Sequence, residues 1–445
     1  MVLVHHVIPD RRRSVYIATL GCKLNQYESE AILGQFRAVG YQVAEDAESA
    51  AVCIVNTCSV TGIADRKSRS LLRSLHRRNP AAALIAVGCT AEKSAADLSA
   101  IDGVRAVLGT REKEHLFDFL PTDMDVQDVA VHVGEAHATT VFAEGQSVAG
   151  LLGRTRCFLK IQDGCSQKCT YCVIPQLRGQ GRSLPVHHVV DRIRKLYAAG
   201  IAEVVLTGVA LGTYGTDLGM PDGLTDLLSV LTKESDLPRI RLGSVEPWAV
   251  TDRLLEVMAD SDRICPHLHL PLQSANDVIL HRMNRRYTVA RIHRIFEQAF
   301  TLRNDWGFGS DIIVGFPGES RNHFIDTQHF VAESPLSYLH VFPFSMRPGT
   351  PAAHLTDTVP DQEKRDRVTE LRTLDKTLRH RFREAHIGTH QHVLLENRRN
   401  GKWTAGHTAN YLDVFLEAGC GRDGTVVEVL ITGLHTNGVT GRLTQ

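Results

Sequence analysis

The sequence predicts an α/β chain in three parts: an N-terminal parallel α/β sheet, a central partial (β/α) barrel and a small C-terminal β-barrel. Three observations predict it. Short apolar runs alternate with helix-period stretches at the start of the chain. The alternation resumes over a longer central series. The last stretch has only short β-rich runs divided by Gly-containing turns.

At 445 residues the chain has room for two or three cores. Its formal net charge is zero, so no global field attracts nucleic acid, and any RNA contact must use local basic patches. The opening MVLVHHVIPDRRRS puts apolar residues before the charges, the reverse of a secretory signal. No apolar run reaches membrane-span length. The expected compartment is the cytoplasm, with no membrane partner. There, ten cysteines are expected as metal ligands or core residues rather than as disulfides.

The first part is expected over residues 1–145. VYIATLGC, AVCIVNTC and LIAVGC are apolar runs ending at Cys22, Cys58 and Cys89. QYESEAILGQFRAVG and ADRKSRSLLRSLHRRN lie between them with helical periodicity. Strands alternating with helices make a parallel sheet, whose strand C-termini share the ligand-binding edge. Topology therefore gathers Cys22, Cys58 and Cys89 on one edge. A linker is expected over 121–150, acidic and then rich in Gly, Ala and Thr.

The second part is expected over 151–387. CFLKIQ, EVVLTG, RIRLG, HLHLPL, DIIVGF and YLHVFPF are strand candidates. VVDRIRKLYAAG, TDRLLEVMADS and ARIHRIFEQAF are helices. Repeated βα units suggest an open or partial barrel, with function at the strand C-terminal ends. Residues 360–387 read as one helix, with Pro360 in its first turn, Gly388 at its end, and Val368, Leu371, Leu374 and Leu378 as a docking stripe. The third part, 388–445, carries HVLLEN, YLDVFLEA, TVVEVLITGL and GVTGRL and suggests a small β-barrel.

GCSQKCTYC holds Cys165, Cys169 and Cys172 in the loop after the first central strand. Structural zinc wants four ligands. Cys157 lies inside an apolar strand, and nothing in the spacing makes His187 or His188 a ligand. Thiolate-rich sites also hold iron–sulfur clusters, and three thiolates on a 4Fe–4S cubane leave one iron open. Zinc and redox thiols remain the alternatives. Cys53, Cys157, Cys265 and Cys420 are expected as structural thiols.

The C-x3-C-x2-C motif, with Tyr171 before its last cysteine, resembles the radical S-adenosylmethionine (SAM) enzymes. There the open iron is chelated by SAM, which the reduced cluster cleaves to a 5′-deoxyadenosyl radical. TLGCKLNQYESE, VNTCSVT and AVGCTAE upstream resemble the methylthiotransferases within that group. The resemblance covers nearly the whole chain, through a C-terminal domain similar to the TRAM RNA-binding module. It implies a second 4Fe–4S cluster on Cys22, Cys58 and Cys89, taking part in sulfur insertion. It also implies two roles for SAM, one donating a methyl group to sulfur and one giving the radical that abstracts hydrogen from the substrate.

SAM contacts are expected at strand ends: Thr207 and Gly208, Ser244 and Glu246, Gln273, and Asp311, Gly315 and Glu319, together with Tyr171. The family usually has glycine where this chain has Ala275, so the loop after Gln273 is expected to be reshaped. Each of these residue types also suits a turn or cap. Arg66, Arg69, Arg73 and Arg77 make one positive helix face beside Cys58, either a solvated face or a phosphate track. Arg282, Arg285 and Arg286, and Arg398, Arg399 and Lys402, are further RNA candidates.

LTGVALGTYGTD, ADRKSR and VFPFSMRPGT look like the type acting on N6-threonylcarbamoyladenosine beside the anticodon, at position 37 of tRNA. The expected product carries a methylthio group at C2. Expected partners are the tRNA anticodon stem-loop, a cellular reductant and a sulfur donor. The other readings are the isopentenyladenosine type, the type acting on a ribosomal-protein aspartate, and a non-catalytic zinc and RNA-binding protein.

Overall fold

The computed structural model describes residues 13–120, 128–134, 142, 155–400, 403–417 and 419–444, except for the side chains of 397–400. Six parallel strands form the N-terminal sheet: β1 (Ser14–Thr19), β2 (Gln42–Val43), β3 (Val52–Thr57), β4 (Ala83–Gly88), β5 (Val104–Leu108) and β6 (Ala130–His132). Their order is β2-β1-β3-β4-β5-β6, so the three cysteine-bearing strands are neighbours. Helix α1 (Lys23–Ala38) covers one face, placing Ile32, Leu33 and Phe36 against Val52, Ile54 and Ile85. Helix α2 (Gly62–Arg78) covers the other, placing Leu72 and Leu75 against Cys53, Val55 and Leu84. Both faces are buried, which is why these strands read as unbroken apolar runs. Strand β6 falls inside the stretch expected as linker, because three residues are too few to show a period.

The central strands form two parallel three-stranded sheets. One contains β7 (Arg156–Lys160), β8 (Glu203–Thr207) and β9 (Arg239–Leu242). The other contains β10 (His267–Gln273), β11 (Gly307–Val314) and β12 (Leu336–Pro343). Single bridges, Ile240–Ile264 and Ser244–His269, join the two sheets. No ladder joins β7 to β12 among the described residues, so the barrel is partial. Helix α1 packs along β7 and inserts Tyr27 into the barrel's core beside Cys157, Leu159 and Ile161. The N-terminal unit is thereby seated against the edge of the partial barrel.

Helix α3 (Asp361–Glu384) begins one residue after Pro360 and buries Val368, Leu371 and Leu378 in the same core, with Leu374 packed against it. The C-terminal domain is a closed barrel in the order β13-β14-β15-β17-β16, from β13 (His390–Asn400), β14 (Trp403–Thr408), β15 (Asp413–Glu417), β16 (Val426–His435) and β17 (Gly438–Leu443). Strand β14 is additional to the four runs expected. Its sequence, WTAGHT, has no apolar alternation. Its Gly406 lies so close to Leu394 that an added Cβ would be 2.3 Å from that carbonyl oxygen.

This small barrel caps the N-terminal end of the central strands. Arg239 donates to the carbonyls of His407 and His392 (3.0 and 2.6 Å), and Arg241 donates to that of Ala409 (2.7 Å). Glu203 joins Arg241 (2.8 Å) and His407 (3.1 Å) beneath them. The cysteine loops lie at the opposite, C-terminal ends of the strands.

Candidate functional site

Cys22 caps the start of α1, Cys58 follows β3, and Cys89 opens the short helix Cys89–Lys93 after β4. Gly21 has a φ of +101°, and a Cβ there would lie 2.7 Å from Cys58 Sγ. Only glycine therefore allows the Cys22 turn to close over Cys58. Asn25 holds this corner by donating to the carbonyls of Leu20 (2.6 Å) and Thr57 (2.9 Å), while its Oδ1 lies 3.9 Å from Cys22 Sγ. Thr90 Oγ1 donates to the Cys58 carbonyl at 2.9 Å. Burial pushes the Cys58 thiol up to about 11, with Cys89 and Cys22 close enough to add to the effect.

Cys165, Cys169 and Cys172 occupy the loop that leaves a two-stranded ribbon, Gln162–Asp163 paired with Arg182–Ser183. Gly164 (φ +68°) passes the Gln180 carbonyl so closely that a Cβ would be 1.9 Å from its oxygen. The Cys165 amide donates to the Gly179 carbonyl (2.9 Å), and the Cys165 sulfur accepts from the Gln167 amide (3.4 Å). Burial pushes Cys165 up to about 12 and Cys172 to about 11. Arg285 donates to Cys169 Sγ at 3.6 Å, and its other contacts are the Pro271 carbonyl (2.8 Å) and Tyr287 (3.0 Å). Arg285 was expected on an RNA face; the structure turns it inward, onto the cysteine loop.

The two sets meet. Cys89 packs with Val173 and Leu177, and Val173 is the residue after Cys172. Beside this contact runs a buried ionic seam that sequence reasoning missed. Arg178 donates to Glu28 (2.8 Å), Asp163 (2.9 Å) and Asn25 (3.1 Å). Lys160 joins Glu28 (3.3 Å), Glu114 (2.8 Å) and Asp163 (3.2 Å). Lys113 reaches Glu28 at 2.6 Å, and Arg182 reaches Asp163 at 3.0 Å. Burial alone would raise the Glu28 carboxyl, but Arg178, Lys113 and Lys160 hold it well below the usual range. Farther out, Arg347 bridges Ser59 (2.8 Å) and Asp65 (2.7 Å). The only signal in the sequence was charged residues inside the motifs, as in LKIQDGC and NQYESE.

Each set is three free thiols. Among the described residues, the only group of three or more close-set His, Cys, Asp or Glu ligand atoms is His269, Asp311 and His340. That group contains no cysteine, so neither set gains a fourth side-chain ligand from it. Three soft donors per set suit a cubane with one open iron better than a closed tetrahedral zinc. Arg178 and Arg285 place positive charge beside the two sets.

Comparison with known proteins agrees. Residues 14–109 match the family described as Uncharacterized protein family UPF0004, and residues 159–331 match the Radical SAM superfamily. The threonylcarbamoyladenosine tRNA methylthiotransferase MtaB of Bacillus subtilis (strain 168) is 36% identical, covering 94% of this chain and 93% of that protein. That of Aquifex aeolicus is 36% identical, covering 94% of this chain and 100% of that protein. The chain belongs to the radical SAM tRNA methylthiotransferases. A tRNA-2-methylthio-N(6)-dimethylallyladenosine synthase from Dictyoglomus thermophilum is 33% identical, with coverages of 91% and 92%. The fold resembles the solved radical SAM methyltransferase TsrM from Kitasatospora setae, with a TM-score of 0.54, 15% identity and 77% coverage of each chain. Like its family, this methylthiotransferase uses SAM and 4Fe–4S chemistry and acts on tRNA. No helix among its described residues is long and apolar enough to cross a membrane.

The methylthiotransferase's expected SAM residues fall into two groups. Thr207, Ser244 and Gln273 do lie at strand C-terminal ends, and Glu246 is buried near Cys165, accepting from the Gly212 amide at 3.2 Å. Gln273 has a φ of +67°, a strain of about 1–3 kcal/mol that non-glycine residues keep mainly at functional sites. Tyr171 meets Phe316 edge-on, with ring centroids 6.4 Å apart. The other group has internal partners. Gly208 makes room for Gln162, Gly315 for Lys364, and Glu319 accepts from the Gly315 amide (2.6 Å) and from Arg367 of α3. Asp311 lies mid-strand, held by two histidines.

Of the RNA candidates, Arg66, Arg73, Arg77 and Arg286 are exposed, and Arg69 is half-buried. Arg282 pairs with Asp357. Arg398 and Arg399 lie on β13, but their side chains, like Lys402, fall outside the described residues.

Proposed function

We propose that this methylthiotransferase converts N6-threonylcarbamoyladenosine at position 37 of tRNA to its 2-methylthio derivative. The observation that carries the reading is the contact of Cys89 with Val173, the neighbour of Cys172, in a chain whose relatives include threonylcarbamoyladenosine enzymes over nearly its full length. Cys165, Cys169 and Cys172 would hold the radical-forming cluster, and Cys22, Cys58 and Cys89 the auxiliary one. With SAM bound, the first supplies a 5′-deoxyadenosyl radical and the second takes part in sulfur insertion. Arg285 fixes the Cys169 corner of the loop through its contact with the sulfur. Thr207, Ser244, Glu246 and Gln273 surround the strand ends where the cofactor would lie.

The chain's own task is positional. It must seat a base drawn out of its stack within reach of both cysteine sets and keep water away. The C-terminal barrel is suited to gripping an anticodon stem-loop by shape and backbone. The exposed Arg66, Arg73 and Arg77 offer phosphate contacts beside Cys58.

Nucleoside mass spectrometry of tRNA from cells lacking the protein tests the reading. The expected result is loss of 2-methylthio-N6-threonylcarbamoyladenosine with its precursor retained. Loss of the methylthio isopentenyl nucleoside instead would overturn it.

A further inference from the structure

The inward faces of β10, β11 and β12 carry a polar chain that the chemistry above does not use. His267, His269, Asp311, Tyr338 and His340 follow one another across the three strands. His267 Nε2 lies 3.0 Å from the Tyr338 hydroxyl, which lies 3.2 Å from His269 Nδ1. His269 Nε2 is 3.0 Å from Asp311 Oδ1, and His340 Nδ1 is 3.1 Å from the same oxygen. The alternate residues Leu268, Leu270 and Leu272 pack outward into the core. Gly309 makes the space, because a Cβ there would lie 2.1 Å from the Tyr338 ring.

With His267 and His269 as neutral rings, donor counting orders the protons. His267 donates to Tyr338, Tyr338 donates to His269, and His269 and His340 both donate to Asp311. His340 Nε2 is then left with no partner among the described residues. Its side chain is 51% exposed, whereas that of His269 is 5% exposed. The chain therefore runs from the buried base of the barrel to one accessible polar ring on β12, the strand that borders the barrel's open side.

We propose that Asp311 and His340 form the subsite that reads the N6 side chain of the substrate adenosine, accepting a polar, carboxylate-bearing substituent and rejecting an apolar one. The inference rests on the tRNA reading above and deepens it. Asp311 holds the His340 ring in place, so Asp311 is a positioning residue here rather than a SAM contact. An isopentenyl group would leave the His340 ring desolvated with nothing to bond, and sites built for hydrogen bonding reject such analogues far more strongly than apolar pockets reject polar ones.

The test uses the full chain with both clusters reconstituted and two tRNAs, bearing threonylcarbamoyl or isopentenyl adenosine at position 37. His340→Leu is expected to lower kcat/KM for the threonylcarbamoyl tRNA by about 100-fold, while the isopentenyl tRNA loses nothing or gains. His340→Gln, which keeps a hydrogen-bonding group, is expected to restore most of the loss. Iron content and SAM cleavage without tRNA should be unchanged in both variants. An equal fall on both tRNAs, or no change in their ratio, would overturn the subsite. So would one extra divalent ion per wild-type chain that His340→Leu removes, since the group would then be a metal site. A wild-type enzyme that prefers isopentenyl tRNA would instead overturn the substrate reading itself, before any variant is made.

Discussion

Glu28→Gln removes one charge from the seam between the cysteine sets while keeping the side chain's shape. Three cations touch that carboxylate, but they do not lose equally. Lys160 keeps Glu114 at 2.8 Å and Asp163 at 3.2 Å. Arg178 keeps Asp163 at 2.9 Å and Asn25 at 3.1 Å. Among the described residues the Lys113 ammonium bonds only Glu28, at 2.6 Å, and both side chains are 1% exposed. The cost is therefore close to that of one buried pair with its partner removed, about 3–5 kcal/mol. Lys113→Met in the same chain removes the stranded charge and should recover at least about 2 kcal/mol, because deleting both partners of a buried pair is often nearly neutral. The assay is a double-mutant cycle on urea midpoints, with hydrogen exchange of α1 reporting the local unit. A cost below about 1 kcal/mol for Glu28→Gln, or simple additivity of the two changes, would refute the reasoning.

Cys169→Ala should abolish 5′-deoxyadenosine formation, whereas Cys58→Ala should spare it and stop methylthiolation; full product from the second variant would remove the auxiliary set from sulfur insertion. Glu203 is held well below its usual range, burial notwithstanding, by Arg241 and His407. A depressed carboxyl stabilises the fold above its unfolded pKa of about 4.3 and loses that contribution as pH falls further. The C-terminal barrel should therefore loosen on acidification below about pH 4, and Glu203→Gln should flatten that limb of the pH profile, as read by hydrogen exchange on β14. Replacing Arg66, Arg73 and Arg77 together by Gln should weaken tRNA binding and reduce the slope of log K against log salt by roughly 0.7–0.9 for each phosphate no longer neutralised; an unchanged slope would make this a solvated face.

How far the sequence could be read followed from how local each signal was. Cys22, Cys58 and Cys89 were visible because each ends an apolar run and a parallel sheet must align its strand ends, and Cys165, Cys169 and Cys172 because their spacing lies within one short segment. The α3 stripe was visible because Val368, Leu371, Leu374 and Leu378 repeat at helical spacing within one segment. The seam was not visible, because Lys113 and Arg178 lie 85 and 150 residues from Glu28 and no local period links them. Arg285 was misplaced for a related reason. In HRMNRRYT it is one of several basic residues, and only the fold separates the inward Arg285 from the exposed Arg286. Strand β14 was missed because its Gly406 and its polar residues are chosen for close packing rather than for alternation.

The seam also explains how two units of the chain can share one reaction. Apolar faces bind without direction, and a sheet packed on a barrel through leucines alone could slide by an ångström at little cost. The proposed reaction cannot tolerate that slide, because in it both cysteine sets address one carbon of one base. Arg178 prevents it by direction. Its guanidinium joins Glu28 and Asn25 of α1 to Asp163 of the ribbon from which the cysteine loop leaves, through bonds of 2.8 to 3.1 Å. Asn25 in turn fixes the Cys22 corner, and Asp163 accepts from the Gly164 amide at 2.8 Å, immediately before Cys165. One buried residue is thus two bonds from each cysteine set. An ion network is a poor way to gain stability, since well-packed apolar residues often do as well or better. It is an effective way to set one register, and register is what the chemistry requires.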